Sequence, residues 1–167
     1  MTPPTYEVSF DADRMVQNLL WAPSFLRELL SNIPAEMLKQ ARKPGKWTIH
    51  EHAVHMTMVD DIMIPRLEAF RSQAEPKIVP YNPSEAEKAG SLLEMELNAR
   101  LDCFDDSRER LIDAFSLLNP ADYDKHADHP EYREYTPRVM LRHLMMHDYL
   151  HCYRIEELWL TRDERLN

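Results

Sequence analysis

Basic charge is in short supply along this chain. Its 20 Lys and Arg face 29 Asp and Glu, a formal net charge of -9, and no extended basic block interrupts that balance. A surface of this kind cannot follow a phosphate backbone, so no nucleic-acid partner is expected. Long apolar runs are missing too. Nothing approaches the roughly 18 residues of a membrane helix, and Met1-Thr2-Pro3-Pro4 has neither the basic nor the apolar segment of a signal peptide. The expectation is a cytoplasmic protein with no membrane partner. The two cysteines, Cys103 and Cys152, fall within helical patterns and could pair only with each other, so reduced thiols are expected.

Glycine is equally scarce, confined to Gly45 and Gly90, whereas Leu, Met, Ala, Glu and Arg recur at spacings of three and four. That is a helical composition. The 167 residues contain no repeat, low-complexity tract or linker, and the expectation is a single domain over 1–167 with a sizeable core.

The periodicity predicts a first helix from about Phe10 to Ser31, with Met15, Leu19, Leu26, Leu29 and Leu30 inward and a kink at Pro23. Pro34, Pro44 and Gly45 mark the connection after it. A second helix should start at Thr48, because Thr48-Ile49-His50-Glu51 has the form of a capping box. Its inward line is read as Val54, Met58 and Ile62, with a bend at Pro65. The Pro-rich segment 75–83 is a long crossover. A third helix, from Ser84 or Ser91 to Leu118, carries Leu93, Leu97, Leu101, Phe104, Leu111 and Phe115, and Asn119-Pro120 ends it. A polar loop over 120–135 follows. Thr136-Pro137 then opens a fourth helix reaching about Thr161, with Pro137 at the first position, where its missing amide costs nothing. Four long helices with one long connection between the second and third describe an all-α four-helix bundle.

Chemistry concentrates in the histidines. His147 and His151 lie about 40° apart and one turn along the fourth helix, on the line of Met140, Leu144 and Leu158, and so face the core. His143 sits at the edge of that stripe, its Cα about 12 Å from that of His151, too far for the two to share one ion easily. A partner would come from His50, His52 and His55 on the second helix. Periodicity ranks His50 and His55 together, depth along the helix favours His55, and His52 points away from the inward line. An H-x-x-x-H pair alone is as compatible with solvated or carbonyl-bonded rings as with a metal. The H-E-x-x-H pattern of metalloproteases is not present, since Asp148 follows His147. For His52 and His143 a surface or supporting role is expected, and His126 and His129 are expected in solvent. Asp60 and Asp61 diverge by about 100° and read as a solvated face. Cys152 points away from His151. Trp47, Tyr149, Tyr153 and Trp159 read as packing residues, and the methionines, Met146 among them, as core filler.

Two stretches carry a resemblance. Lys46-Trp47-Thr48-Ile49-His50-Glu51-His52-Ala53-Val54-His55 resembles the start of the second helix in the DinB/YfiT-like superfamily, where a histidine follows eight residues after the tryptophan of a capping box. Leu144-Met145-Met146-His147-Asp148-Tyr149-Leu150-His151 is similar to its fourth-helix H-x-x-x-H motif. The resemblance spans nearly the whole chain. It implies an up-up-down-down four-helix bundle with a divalent metal on His55, His147 and His151, homodimers being common among the lookalikes.

Three neutral imidazoles would leave such an ion its full charge and at least one open position, where water or a thiol becomes a nucleophile. Imidazole suits zinc, nickel, iron and copper, and availability favours zinc. The resemblance implies a metal-dependent enzyme that activates a low-molecular-weight thiol or water for transfer to a small electrophilic substrate, an S-transferase or a hydrolase. The alternative is a non-catalytic metal-containing bundle used in small-molecule binding or stress sensing.

Overall fold

The computed structural model describes residues 12–81 and 90–166. The expected helix starts at Phe10 and at Ser84 lie outside the described residues. Four main helices make up the fold: α1 (Ala12–Ser31), a second helix in two pieces, α3 (Ile49–Met56) and α4 (Val59–Ser72), then α5 (Leu97–Ser116) and α6 (Pro137–Leu160). One short turn, α2 (Ala35–Leu38), lies in the first connection. No described helix is long and apolar enough to cross a membrane. α1 and α3 each pack against both α5 and α6, and α4 packs against α5.

The starts follow from local chemistry. Thr48 caps α3 as expected: its Oγ1 accepts from Glu51 N at 3.2 Å, and Glu51 Oε2 accepts from Thr48 N at 2.8 Å. Thr136 Oγ1 accepts from Val139 N at 3.2 Å, with Pro137 in the first turn of α6. The third helix departs from expectation, because Leu93 falls in a separate 3-10 turn, Ser91–Glu94, entered through Gly90 at φ 93°. Glu96 then caps α5, accepting from Ala99 N at 2.7 Å.

The second helix also differs. It breaks at Thr57 and Met58, two turns before the expected bend, and Pro65 lies inside α4. Thr57 Oγ1 donates to Val54 O at 2.7 Å, which competes with the backbone ladder. Arg100 of α5 then donates to Thr57 Oγ1 and Thr57 O at 3.0 and 2.9 Å. The inward line is accordingly not Val54, Met58 and Ile62: Met58 and Ile62 are half-buried, while Ala53, Val54, Met56, Val59, Leu67 and Phe70 fill the core.

The core has two apolar halves. Leu19, Val59, Leu111 and Leu144 belong to one, and Leu26, Met56, Phe104 and Cys152 to the other. At their junction lies a buried ionic layer. Arg108, 1% exposed, donates from Nε to Asp60 at 2.9 Å and from Nη1 to Asp148 at 2.7 Å. Arg108 Nη1 also donates to Leu19 O at 2.8 Å. Pro23 explains that contact, because proline has no amide to return to the carbonyl four residues earlier, leaving Leu19 O to a side chain. Tyr149, Tyr153 and Met146 are exposed on α6 rather than packed in the core.

Candidate metal centre

His55 lies in the last turn of α3, and His147 and His151 lie one turn apart on α6. The capping box sets the phase of α3 and the Thr136-Pro137 start sets that of α6. Where the two helices pack, His55 Nε2 and His147 Nε2 lie 3.0 Å apart. The rings of His147 and His151 are 4.3 Å apart between centroids, and those of His55 and His151 are 4.8 Å apart. One ligand nitrogen from each of the three falls within 4.8 Å of the others. Ligands bonded to zinc at about 2.0–2.1 Å in a tetrahedron stand about 3.3 Å from one another. The donor set therefore fits a divalent ion after adjustments of up to about 1.5 Å in the spacing of the nitrogens.

The surroundings prepare these rings. Trp47 packs on His55 and His151, with centroids 4.8 and 6.0 Å away. His52 Nδ1 is 2.8 Å from His151 Nδ1, which leaves Nε2 of His151 available to an ion. Burial drives the His151 pKa down to about 2, helped by His147, His55 and His52, and burial with His55 and Arg154 brings His52 to about 4. Both are neutral near pH 7, the form that ligates metals. His147 Nδ1 is buried without a hydrogen-bond partner, 3.6 Å from Asp148 Oδ1. The ionic layer thus adjoins the histidines, with two carboxylates against one guanidinium. Burial, opposed by Arg108, holds the Asp60 carboxyl above its ordinary range.

The other candidates part company with the site. His50 is occupied elsewhere, its Nε2 3.0 Å from Met95 O. His143 is half-buried beside Tyr132, at 5.4 Å between ring centroids. His126 is exposed as expected, but His129 is buried at 6% exposure, its Nδ1 accepting from Glu131 N at 3.2 Å between Tyr132 and Tyr135. Asp61 pairs with Arg110 at the surface, whereas Asp60 is wholly buried, which overturns the reading of both as a solvated face. Cys152 is buried, and burial together with Asp148 pushes its thiol up to about 12. Arg108 escaped the sequence reading. Its signal was a charged residue on the apolar stripe of Phe104, Leu111 and Phe115.

Two cavities lie near these residues. One, of about 310 Å³, is lined by Lys43, Lys46, Trp47, His52, Arg154 and Glu157. The other, of about 500 Å³, lies between α4 and α6 and reaches His147.

One comparison with known proteins gives a family and another gives a fold. The DinB superfamily model matches residues 18–155. A solved structure of YfiT from Bacillus subtilis, described as a probable metal-dependent hydrolase with an unusual four-helix bundle topology, superposes with a TM-score of 0.79 at 18% identity. That match covers 95% of this chain and 91% of YfiT, and it shows a shared fold. No curated protein matches. With the family model spanning most of its length, this chain belongs to the DinB superfamily.

Proposed function

We propose that this protein is a metal-dependent enzyme in which His55, His147 and His151 hold a divalent ion, zinc on availability with nickel or iron as alternatives, and that it activates water or a low-molecular-weight thiol against a small electrophilic substrate. The observation that carries the proposal is the convergence of the three ring nitrogens within 4.8 Å. A cavity that reaches His147 and another lined by Trp47 and His52 support it. An ion held by neutral imidazoles keeps its full charge and favours deprotonation of water or thiol near neutral pH.

The chain's own residues prepare that chemistry. His52 fixes the ring of His151 through Nδ1, Trp47 covers two of the rings, and the Asp60–Arg108–Asp148 layer sets an excess carboxylate behind a cationic centre. Water is the first-choice nucleophile, in keeping with the hydrolase description of YfiT. The thiol reading draws on the smaller cavity, where Lys43 and Lys46 suit a carboxylate-bearing cosubstrate beside His52, Arg154 being paired with Glu157. The up-up-down-down helix order and a homodimer belong to the same proposal, with exposed Tyr149, Tyr153 and Leu160 on α6 as apolar surface for pairing.

Cobalt loading separates the nucleophiles. Sulfur ligation gives an intense near-ultraviolet charge-transfer band, so a thiol cosubstrate produces that band in the native chain and not in His147→Ala. A silent spectrum with cellular thiols, together with turnover of activated esters, selects water. Absence of both band and turnover in the metal-loaded chain overturns the enzyme reading.

A further inference from the structure

The cavity of about 500 Å³ between α4 and α6 is of small-molecule size and has two unlike ends. One end is His147. Val59, Met140 and Leu144, all buried or nearly so, make its floor. At the other end stands Arg66, whose Nη1 donates to Tyr135 Oη at 3.0 Å and to Met63 Sδ at 3.8 Å and whose Nη2 donates to Val79 O at 3.2 Å. All three acceptors are neutral, and among the described residues no carboxylate forms an ion pair with Arg66. A guanidinium offers five donors, so these contacts orient it without neutralising it or exhausting its hydrogen bonds. An uncompensated, oriented cation at the end of an apolar cavity is matched by one anionic group on an apolar body, and the planar fork fits a carboxylate best. Arg66 is held on Tyr135, just before the helix start at Pro137, whereas His147 lies ten residues into α6, so the two groups stand at opposite ends of the cavity.

We propose that this cavity is the substrate pocket and takes a small monocarboxylate with an apolar body, its carboxylate on Arg66 and its reacting bond at the other end beside His147. The placement of the reacting bond rests on the metal reading of the histidine cluster, whereas recognition of the carboxylate by Arg66 does not. The pairing also gives Tyr135 a function: its hydroxyl positions Arg66, and it is itself 3% exposed and held in the core.

The test is calorimetric titration of the metal-depleted full chain with 4-phenylbutyrate and its neutral isostere 4-phenylbutyramide, which share one apolar body and differ in the charge of the terminal group. The carboxylate should bind at least about tenfold more tightly, as a hydrogen-bonded charge contributes beyond the shared apolar contact. Arg66→Met should abolish the preference while leaving the amide's affinity unchanged, and unchanged amide binding also reports an intact cavity. Leu144→Trp should block both ligands. Equal affinities for acid and amide in the native chain, binding of neither, or a preference that survives Arg66→Met would overturn the proposal. Since no metal is present, failure here is distinct from failure of the metal reading, which shows as missing metal in the loaded chain.

Discussion

His52 Nδ1 and His151 Nδ1 lie 2.8 Å apart, a contact between two neutral rings across the α3–α6 seam. One of the two nitrogens must donate and the other accept, so the pair selects tautomers and directs Nε2 of His151 towards the cluster. Partners of this kind typically change metal affinity about 10–100-fold when removed. His52→Ala should therefore weaken metal affinity by that factor in competition with a chelator while leaving saturation stoichiometry intact. Unchanged affinity would make His52 a packing residue, and loss of stoichiometry would make it a ligand.

The ionic layer makes a second prediction. Arg108→Met leaves Asp60 and Asp148 buried with no cation between them. Breaking a buried pair by removing one partner costs about 3–5 kcal/mol. Urea unfolding of Arg108→Met should show a midpoint lowered accordingly, with a substitution at the exposed Arg110–Asp61 pair as the contrast, worth at most about 1 kcal/mol. Equal effects at the two pairs would contradict the buried layer.

Histidines held neutral by burial make stability depend on pH in one direction. In the unfolded chain each protonates near pH 6.5, whereas folded His52 does so near 4 and His151 near 2. The unfolded state thus binds more protons as pH falls below 6.5, and the stability present above that value is lost towards pH 4 for His52 and further for His151. His50, shifted the same way chiefly by its burial, adds to the trend. Melts of the metal-depleted chain should show Tm falling between pH 7 and 5, before most carboxylates titrate, with a shallower slope in His52→Ala. A Tm independent of pH over that interval would be inconsistent with neutral buried rings.

Much of this was legible in the sequence, and the limits have a physical origin. Thr48 with Glu51 and Thr136 with Pro137 are local signals, so the starts of α3 and α6, and hence the facing of His147 and His151, could be read from neighbouring residues. His55 could not be separated from His50 by periodicity, because what separates them is a distant partner: Met95 O takes His50, and His147 meets His55. At the break, Thr57 Oγ1 bonds Val54 O locally but is also met by Arg100 from another helix, and the buried Asp60 is met by Arg108. Helix phase is encoded locally, whereas a buried charge is tolerated only through contacts distant in sequence.

Chelation should leave the bundle standing. Both apolar halves are built from side chains on several helices and neither includes the histidine cluster, so the chain does not need an ion to fold as a small zinc finger does. Far-ultraviolet circular dichroism should retain its helical signal after metal removal while Tm drops. Wholesale loss of helicity would make the ion a folding element.

Metal content per chain, measured by elemental mass spectrometry after loading and desalting, tests the central proposal most directly. The native chain should carry about one divalent ion, matching the single three-histidine cluster among the described residues. His55→Ala, His147→Ala and His151→Ala should each lose it, and His143→Ala, whose ring lies beside Tyr132, should keep it. A native chain that retains no ion, or equal loss in His143→Ala, would contradict the tri-histidine centre.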